Sequence, residues 1–131
     1  MKIGKFTVRS SLIVEENNPM DGSRARRLIN AYFDAWNNHD VEGLRTLLAH
    51  DCSLADWETQ VSGRDAVVEA NRSIFEKMPE VKIKILATHL FKGEKSAACE
   101  ILVQTGKEDV NVVDIIIVES NKIKAIRAYK K

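Results

Sequence analysis

The chain has 131 residues, 44% hydrophobic and 30% charged, with only 6 Gly and 2 Pro. That is the composition of one ordinary globular domain, and it excludes a disordered or collagen-like chain. With 20 Lys+Arg against 19 Asp+Glu the formal charge is +1, which supplies no general field for a polyanion, so nucleic acid is not an expected partner.

Cys52 and Cys99 form neither a disulfide framework nor a C-x-x-C pair, which fits a reducing compartment. MKIGKFTVRSSLIVEEN contains no continuous apolar core of a signal peptide, and the longest apolar run, Ile115 to Val118, is far too short to cross a bilayer. The expectation is a soluble, cytoplasmic protein that engages no membrane.

Residues 1–22 open on an alternation, Phe6, Val8, Ser10, Leu12 and Val14, that predicts a strand, and break at ENNPMDGS, a turn-rich linker. From Ser23 the residues Ala25, Leu28, Ile29, Tyr32, Phe33 and Trp36 recur at three and four, which predicts a helix ending at Asn37-Asn38-His39. Asp40 reads as the N-cap of a second, shorter helix with Val41, Leu44, Leu47 and Leu48 inward. A third helix runs from about Arg64 to Met78, where Pro79 stops it. Beyond Pro79 the apolar period drops to two. Val81, Ile83, Ile85, Ala87 and His89 share one strand face, and a turn at Lys92-Gly93-Glu94 leads to a second strand with Ala97, Cys99, Ile101 and Val103. Thr105-Gly106-Lys107 then leads into DVNVVDIIIVE, which Ser120-Asn121 joins to KIKAIRAYK. Helices followed by antiparallel strands define an α+β domain with helices on one face of a curved sheet.

Asp114 interrupts VVDIIIV and shares a strand face with Val112, Ile116 and Val118, where an ionised carboxylate is costly unless paired. Two readings stand. A two-residue loop at Ser120-Asn121 puts Glu119 opposite Lys122, Val118 opposite Ile123 and Arg127 opposite Asp114, an ion pair. A three-residue turn from Glu119 to Asn121 puts Ile126 there and leaves a neutral acid. Asp56, in CSLADW, shares an alternation with Cys52 and Leu54 and by itself reads as an exposed turn carboxylate. Tyr32 lies one helical turn before Trp36, a packing position whose hydroxyl reaches the rim. His89 follows Ala87 on an apolar face and reads as a core or rim histidine. His39, His50, His89, Cys52 and Cys99 lack zinc-type spacing, and the chain has neither a phosphate-cradling glycine loop nor G-x-S-x-G, so no metal and no cofactor is expected.

The stretch LINAYFDAWNNHDVEGLRTLLAHDCSLADW, followed by GRDAVVEANRSIF, resembles the ketosteroid isomerase and nuclear-transport-factor-2-like (NTF2-like) superfamily, which includes the SnoaL-like polyketide cyclases. The likeness covers about residues 24–131. It implies an NTF2-like cone, three N-terminal helices packed on a strongly curved antiparallel sheet around a deep pocket, with 1–22 a strand-and-linker extension and 23–131 the single domain. An ungapped match through NNHD places Tyr32 at the oxyanion-hole tyrosine of bacterial ketosteroid isomerases and Asp56 at their general base, and the penultimate strand places Asp114 at their oxyanion-hole aspartic acid. The resemblance thereby implies a cofactor-free enzyme that moves a proton α to a carbonyl of a small apolar ligand, isomerising or cyclising it.

Members commonly pair through the sheet, which implies a homodimer. The superfamily also holds noncatalytic ligand-binding and scaffolding proteins, the alternative from another class. Trp57 stands where those isomerases carry a proline after the base, the loop from Glu58 to Ser62 is shorter, and 6% aromatic residues is lean for a steroid pocket. An Asp114–Arg127 pair would instead resemble the epoxide-hydrolase branch of the same fold.

Overall fold

The computed structural model describes residues 19–91, 93 and 95–131, with side-chain environments from Arg24 onward; the strand expected from Phe6 to Val14 lies outside the described residues. The helices are α1 (Pro19–Asn37), α2 (Val41–Leu47) and α3 (Arg64–Lys77). The strands are β1 (Leu48–Ala55), β2 (Gln60–Ser62), β3 (Lys82–Leu90), β4 (Ser96–Gln104), β5 (Asp109–Glu119) and β6 (Lys122–Lys130). They form one curved sheet in the order β2-β1-β6-β5-β4-β3, with the helices packed on its inner face.

The apolar stripes of α1 and α3 become buried faces. Leu28, Ile29, Tyr32, Phe33 and Trp36 of α1 and Val67, Val68 and Phe75 of α3 meet Ile101 of β4, Val112 and Ile116 of β5, and Ile123 and Ile126 of β6. Asp40 caps α2 by accepting from the Gly43 N–H at 3.0 Å, and a Cβ at position 43 would meet that carboxylate, which would have to shift to accommodate any other residue.

Five features differ from expectation. α1 begins at Pro19 rather than Ser23, since proline at a first helical turn forfeits an N–H that has no intrahelical partner anyway. Leu48 opens β1 instead of closing α2, and β2 forms where a loop was expected. The sheet is not wholly antiparallel, because β1 runs parallel to β6 while all other neighbours are antiparallel. Finally, the Ile83 face of β3 does not continue to His89. A bulge at Leu86 shifts the pairing from Ile85–Ile101 to Ala87–Glu100, which turns His89 outward.

The breaker Asn37-Asn38-His39 fixes α1 against the sheet edge. The Asn37 amide imitates a neighbouring strand: its Nδ2 donates to the Ile83 carbonyl at 2.8 Å, and its Oδ1 accepts from the Ile83 N–H at 2.6 Å. His39 adopts a left-handed conformation (φ 52°), reaches the Val81 carbonyl at 2.9 Å and stacks on Phe75 at 4.2 Å. The rotation of α1 is thereby set, and with it the direction in which Tyr32 and Trp36 point.

Candidate active site

Between the helices and the inner sheet face lies a cavity of about 200 Å³ whose walls include Tyr32, Trp36, Asp56, Asn71 and Asp114 among aliphatic side chains. All three sequence-selected residues open onto it, from three different elements.

Asp114 is set by strand parity. In β5 the residues Val112, Asp114 and Ile116 are buried and face inward, so the carboxyl group sits between two aliphatic neighbours with 6% of its surface exposed. Its cross-strand neighbours are Cys99 in β4 and Ala128 in β6. Neither sequence register is realised. The Ser120-Asn121 loop is the two-residue one, both residues at positive φ (51° and 61°), and it does pair Glu119 with Lys122 and Val118 with Ile123. A bulge between Ile117 and Val118 then advances β6 by one residue, so Ala128 rather than Arg127 or Ile126 faces Asp114. Arg127 lies beside Ile115 on the outer face, and Asp114 has no ion-pair partner among the described residues. Burial, and secondarily the charge of Asp56, push the Asp114 carboxyl up to about 7.

Asp56 follows β1 at the cavity mouth. One carboxylate oxygen, Oδ1, accepts from the backbone N–H groups of Glu58 (2.8 Å) and Thr59 (2.7 Å), and the Asp56 N–H donates to the Thr59 carbonyl at 2.8 Å. The turn holds the side chain in place through that oxygen, while Oδ2 accepts no hydrogen bond among the described residues. Asp56 is thus both a turn residue, as its sequence context suggests, and a half-buried wall of the cavity. Trp57, next in the chain, is exposed at the same wall with Lys130 Nζ 5.4 Å from its ring centroid.

Tyr32 is 3% exposed and packs edge-on against Phe33 at 5.2 Å. Its hydroxyl has no hydrogen-bond partner among the described residues. Burial raises its pKa, and Asp114, Cys52 and Cys99 raise it further, so it stays protonated and able to donate. The two thiols are buried, free and held above their ordinary range by burial, Cys99 to about 11, so neither is a thiolate nucleophile near neutral pH. Among the described residues no group of three or more His, Cys, Asp and Glu side chains is arranged to hold a metal ion.

Asn71 is the wall residue that the sequence reading passes over. It is 3% exposed, its Oδ1 accepts from Trp36 Nε1 at 2.9 Å, and its Nδ2 donates to the Val67 carbonyl at 3.0 Å. The signal is present: an amide within the helical stripe Val67, Val68, Asn71, Phe75 is as anomalous as Asp114 within its strand.

The family model for the SnoaL-like domain matches residues 29–126. No curated protein matches. Among solved structures, the fold is shared with a Kribbella flavida protein whose name proposes a ketosteroid isomerase, at 20% identity and TM-score 0.73 over 85% of this chain and 80% of that one. It is shared with a SnoaL-like protein of unknown function from Burkholderia thailandensis, at 16% identity and TM-score 0.71 over 83% and 95%. A Sinorhizobium meliloti protein whose name proposes a polyketide cyclase aligns at 15% identity and TM-score 0.68 over 78% and 93%.

Proposed function

The chain belongs to the SnoaL-like domain family of the NTF2-like superfamily, and on that premise we propose that it is a proton-transfer enzyme acting α to a carbonyl of a small, largely apolar substrate. The observation that carries this reading is the convergence of Tyr32, Asp56 and a poorly solvated Asp114 on one cavity. The cavity holds about 200 Å³ and shares Leu54, Asp56, Glu58, Ile74 and Met78 with an adjoining cavity of about 740 Å³, so a small reacting end fits beside Tyr32 and Asp114 and a larger remainder has room beyond Asp56.

In the proposed mechanism Asp56 Oδ2 takes the α proton. The C–H electron pair becomes the new C=C bond, and the carbonyl π pair moves onto oxygen. Tyr32 and the protonated Asp114 donate hydrogen bonds to that oxygen as its charge grows, each worth about 3 to 4 kcal/mol in comparable oxyanion holes. The carboxylic acid formed at Asp56 then returns the proton to another carbon as the C=O bond re-forms, giving isomerisation, or the enolate carbon attacks a second carbonyl in the same molecule and Asp56 gives its proton to the alkoxide oxygen so formed, giving cyclisation. The upward shift that burial and Asp56 impose on Asp114 is what makes a carboxyl group usable as a donor under ordinary conditions.

The test is α-proton exchange of small cyclic enones in D2O, followed by NMR with the wild type and Asp56→Asn. Exchange above buffer in the wild type, and at buffer level in a variant with an unchanged melting curve, supports the assignment. Equal exchange in both proteins moves the base to another group. Enones that bind without exchanging point to the noncatalytic ligand-binding alternative.

A further inference from the structure

We propose that Asn71 is a second substrate contact, a fixed N–H donor on the helix side of the cavity, so that the substrate carries a second hydrogen-bond acceptor besides its reacting carbonyl. This rests on the reading of Tyr32 and Asp114 as the pole for the reacting oxygen.

The amide has only one orientation available. An indole N–H can donate and cannot accept, so the Asn71 atom 2.9 Å from Trp36 Nε1 must be the oxygen, and the nitrogen must face the other way. That nitrogen carries two hydrogens. One goes to the Val67 carbonyl one turn back along α3, and the other has no acceptor among the described residues. Asn71 is buried and forms part of the cavity wall, so a second acceptor entering the cavity would complete its hydrogen bonding. Trp36 acts as a positioning residue: its ring is fixed edge-on against Phe75 at 5.0 Å, and it prevents the amide from rotating to present oxygen instead. The oxygen end of the amide is accounted for by Trp36, whereas on the nitrogen end one N–H is left over, and in an otherwise apolar stripe that hydrogen is costly to leave unpaired. The substrate class that fits is therefore a bifunctional carbonyl compound, such as a keto ester, a hydroxyketone or a dicarbonyl, rather than a plain hydrocarbon ketone. A second carbonyl is also what the cyclisation branch of the proposed reaction consumes.

The probes are 3- and 4-hydroxyacetophenone against 3- and 4-ethylphenol, measured by calorimetry. The phenol oxygen mimics the enolate oxygen, and the acetyl and ethyl groups have nearly the same shape; because the acetyl group also makes the phenol more acidic, the contribution of Asn71 is read from the change in preference between wild type and variant. In the wild type at least one hydroxyacetophenone should bind more tightly than its ethyl partner by about fivefold beyond the effect of acidity, the size of one neutral hydrogen bond. In the Trp36→Phe/Asn71→Leu double variant, which removes both partners of the internal bond and so leaves no orphaned donor, that preference should fall about fivefold, to the part that phenol acidity alone supplies. Trp36→Phe alone should leave an intermediate preference, because the amide is then free to turn. Should the double variant fail to fold, Asn71→Ser, which keeps a small polar group but cannot span the distance, carries the same expectation. Equal preference in wild type and variants, or no preference at all, overturns the Asn71 assignment while ethylphenol affinity lost in Tyr32→Phe still supports the oxyanion pole. A wild type that binds no phenol overturns both.

Discussion

Cys99 and Glu100 are consecutive residues of β4, and the sheet separates them into two chemical worlds. Cys99 faces inward beside Asp114, whose carboxyl group is pushed up to about 7 by burial and by Asp56. Glu100 faces outward, accepts a 2.7 Å hydrogen bond from His89, has Lys131 Nζ at 3.9 Å, and is held below the usual carboxylate range by the His89 hydrogen bond above all. Asp51 on β1 is likewise lowered by its hydrogen bond with Lys124. Every outer carboxylate in this comparison has a cation; the inner one has aliphatic walls and another carboxylate. A shift of one residue in a strand decides whether an acidic side chain is an ordinary surface ion or a candidate acid, which is why the bulges in β3 and β6 matter so much.

The widest break in that contrast is removal of the proposed base. Asp56→Asn keeps a turn-capping oxygen for the Glu58 and Thr59 N–H groups and should cost about 10²- to 10⁴-fold in rate with little change in melting temperature. Next is Tyr32→Phe, which removes a hydroxyl with no partner among the described residues and preserves the edge-on contact with Phe33. Its expected cost is about 10²- to 10³-fold in kcat, read in single-turnover exchange, and an effect on KM alone would assign the hydroxyl to ground-state binding.

Asp114→Asn sharpens the contrast further, since it tests charge without changing shape. The folded-state pKa is raised above the unfolded one, so the native protein holds an extra proton between about pH 4 and 7. The stability this contributes is complete below the unfolded pKa and is lost as pH rises through about 7, on the order of 4 kcal/mol in all. Chemical denaturation from pH 4 to 9 should show that decline in the wild type and a flatter profile in Asp114→Asn. Enolisation by the wild type should also fall above about pH 7, as the donor is lost, and the variant should lack this limb. A wild-type stability loss on the acid side that the variant abolishes would make Asp114 an ionised structural carboxylate.

Much of this architecture could be read from spacing alone. The apolar stripes of α1 and α3, the cap at Asp40 and the two-residue loop at Ser120-Asn121 each follow from local chemistry that tertiary contacts reinforce. Asp114 stood out because a charge amid VVDIIIV violates its own strand, and Asp56 and Tyr32 were selected by resemblance, since each is explicable as turn or packing. What the sequence concealed were the bulges at Leu86 and between Ile117 and Val118, which depend on how strands bend around a core rather than on any local pattern. They removed the Arg127 pairing and expelled His89 to the surface. The parallel contact of β1 with β6 was hidden for a similar reason: it joins segments about 70 residues apart. Asn71 was legible in principle, by the same test that found Asp114, applied at a period of 3.6 instead of two.

The smallest expected effect is at Glu100, and it measures how well the sheet insulates its two faces. Its folded-state pKa is lowered, so whatever stability its partners supply is present above the unfolded pKa and lost as pH falls through the folded one, opposite in sign to Asp114. The pair with His89 is exposed on both sides, and water and salt screen it. Glu100→Gln should therefore move the melting temperature by no more than about 2 °C at pH 7, and added salt should erase even that. Enolisation should be unchanged at every pH, because the side chain points away from the cavity and Val113 and Ala87, its cross-strand partners, carry no charge. A shift of the alkaline activity limb in Glu100→Gln would mean that charge on the outer face reaches Asp114 through the sheet, and the separation of the two faces by strand parity would have to be abandoned.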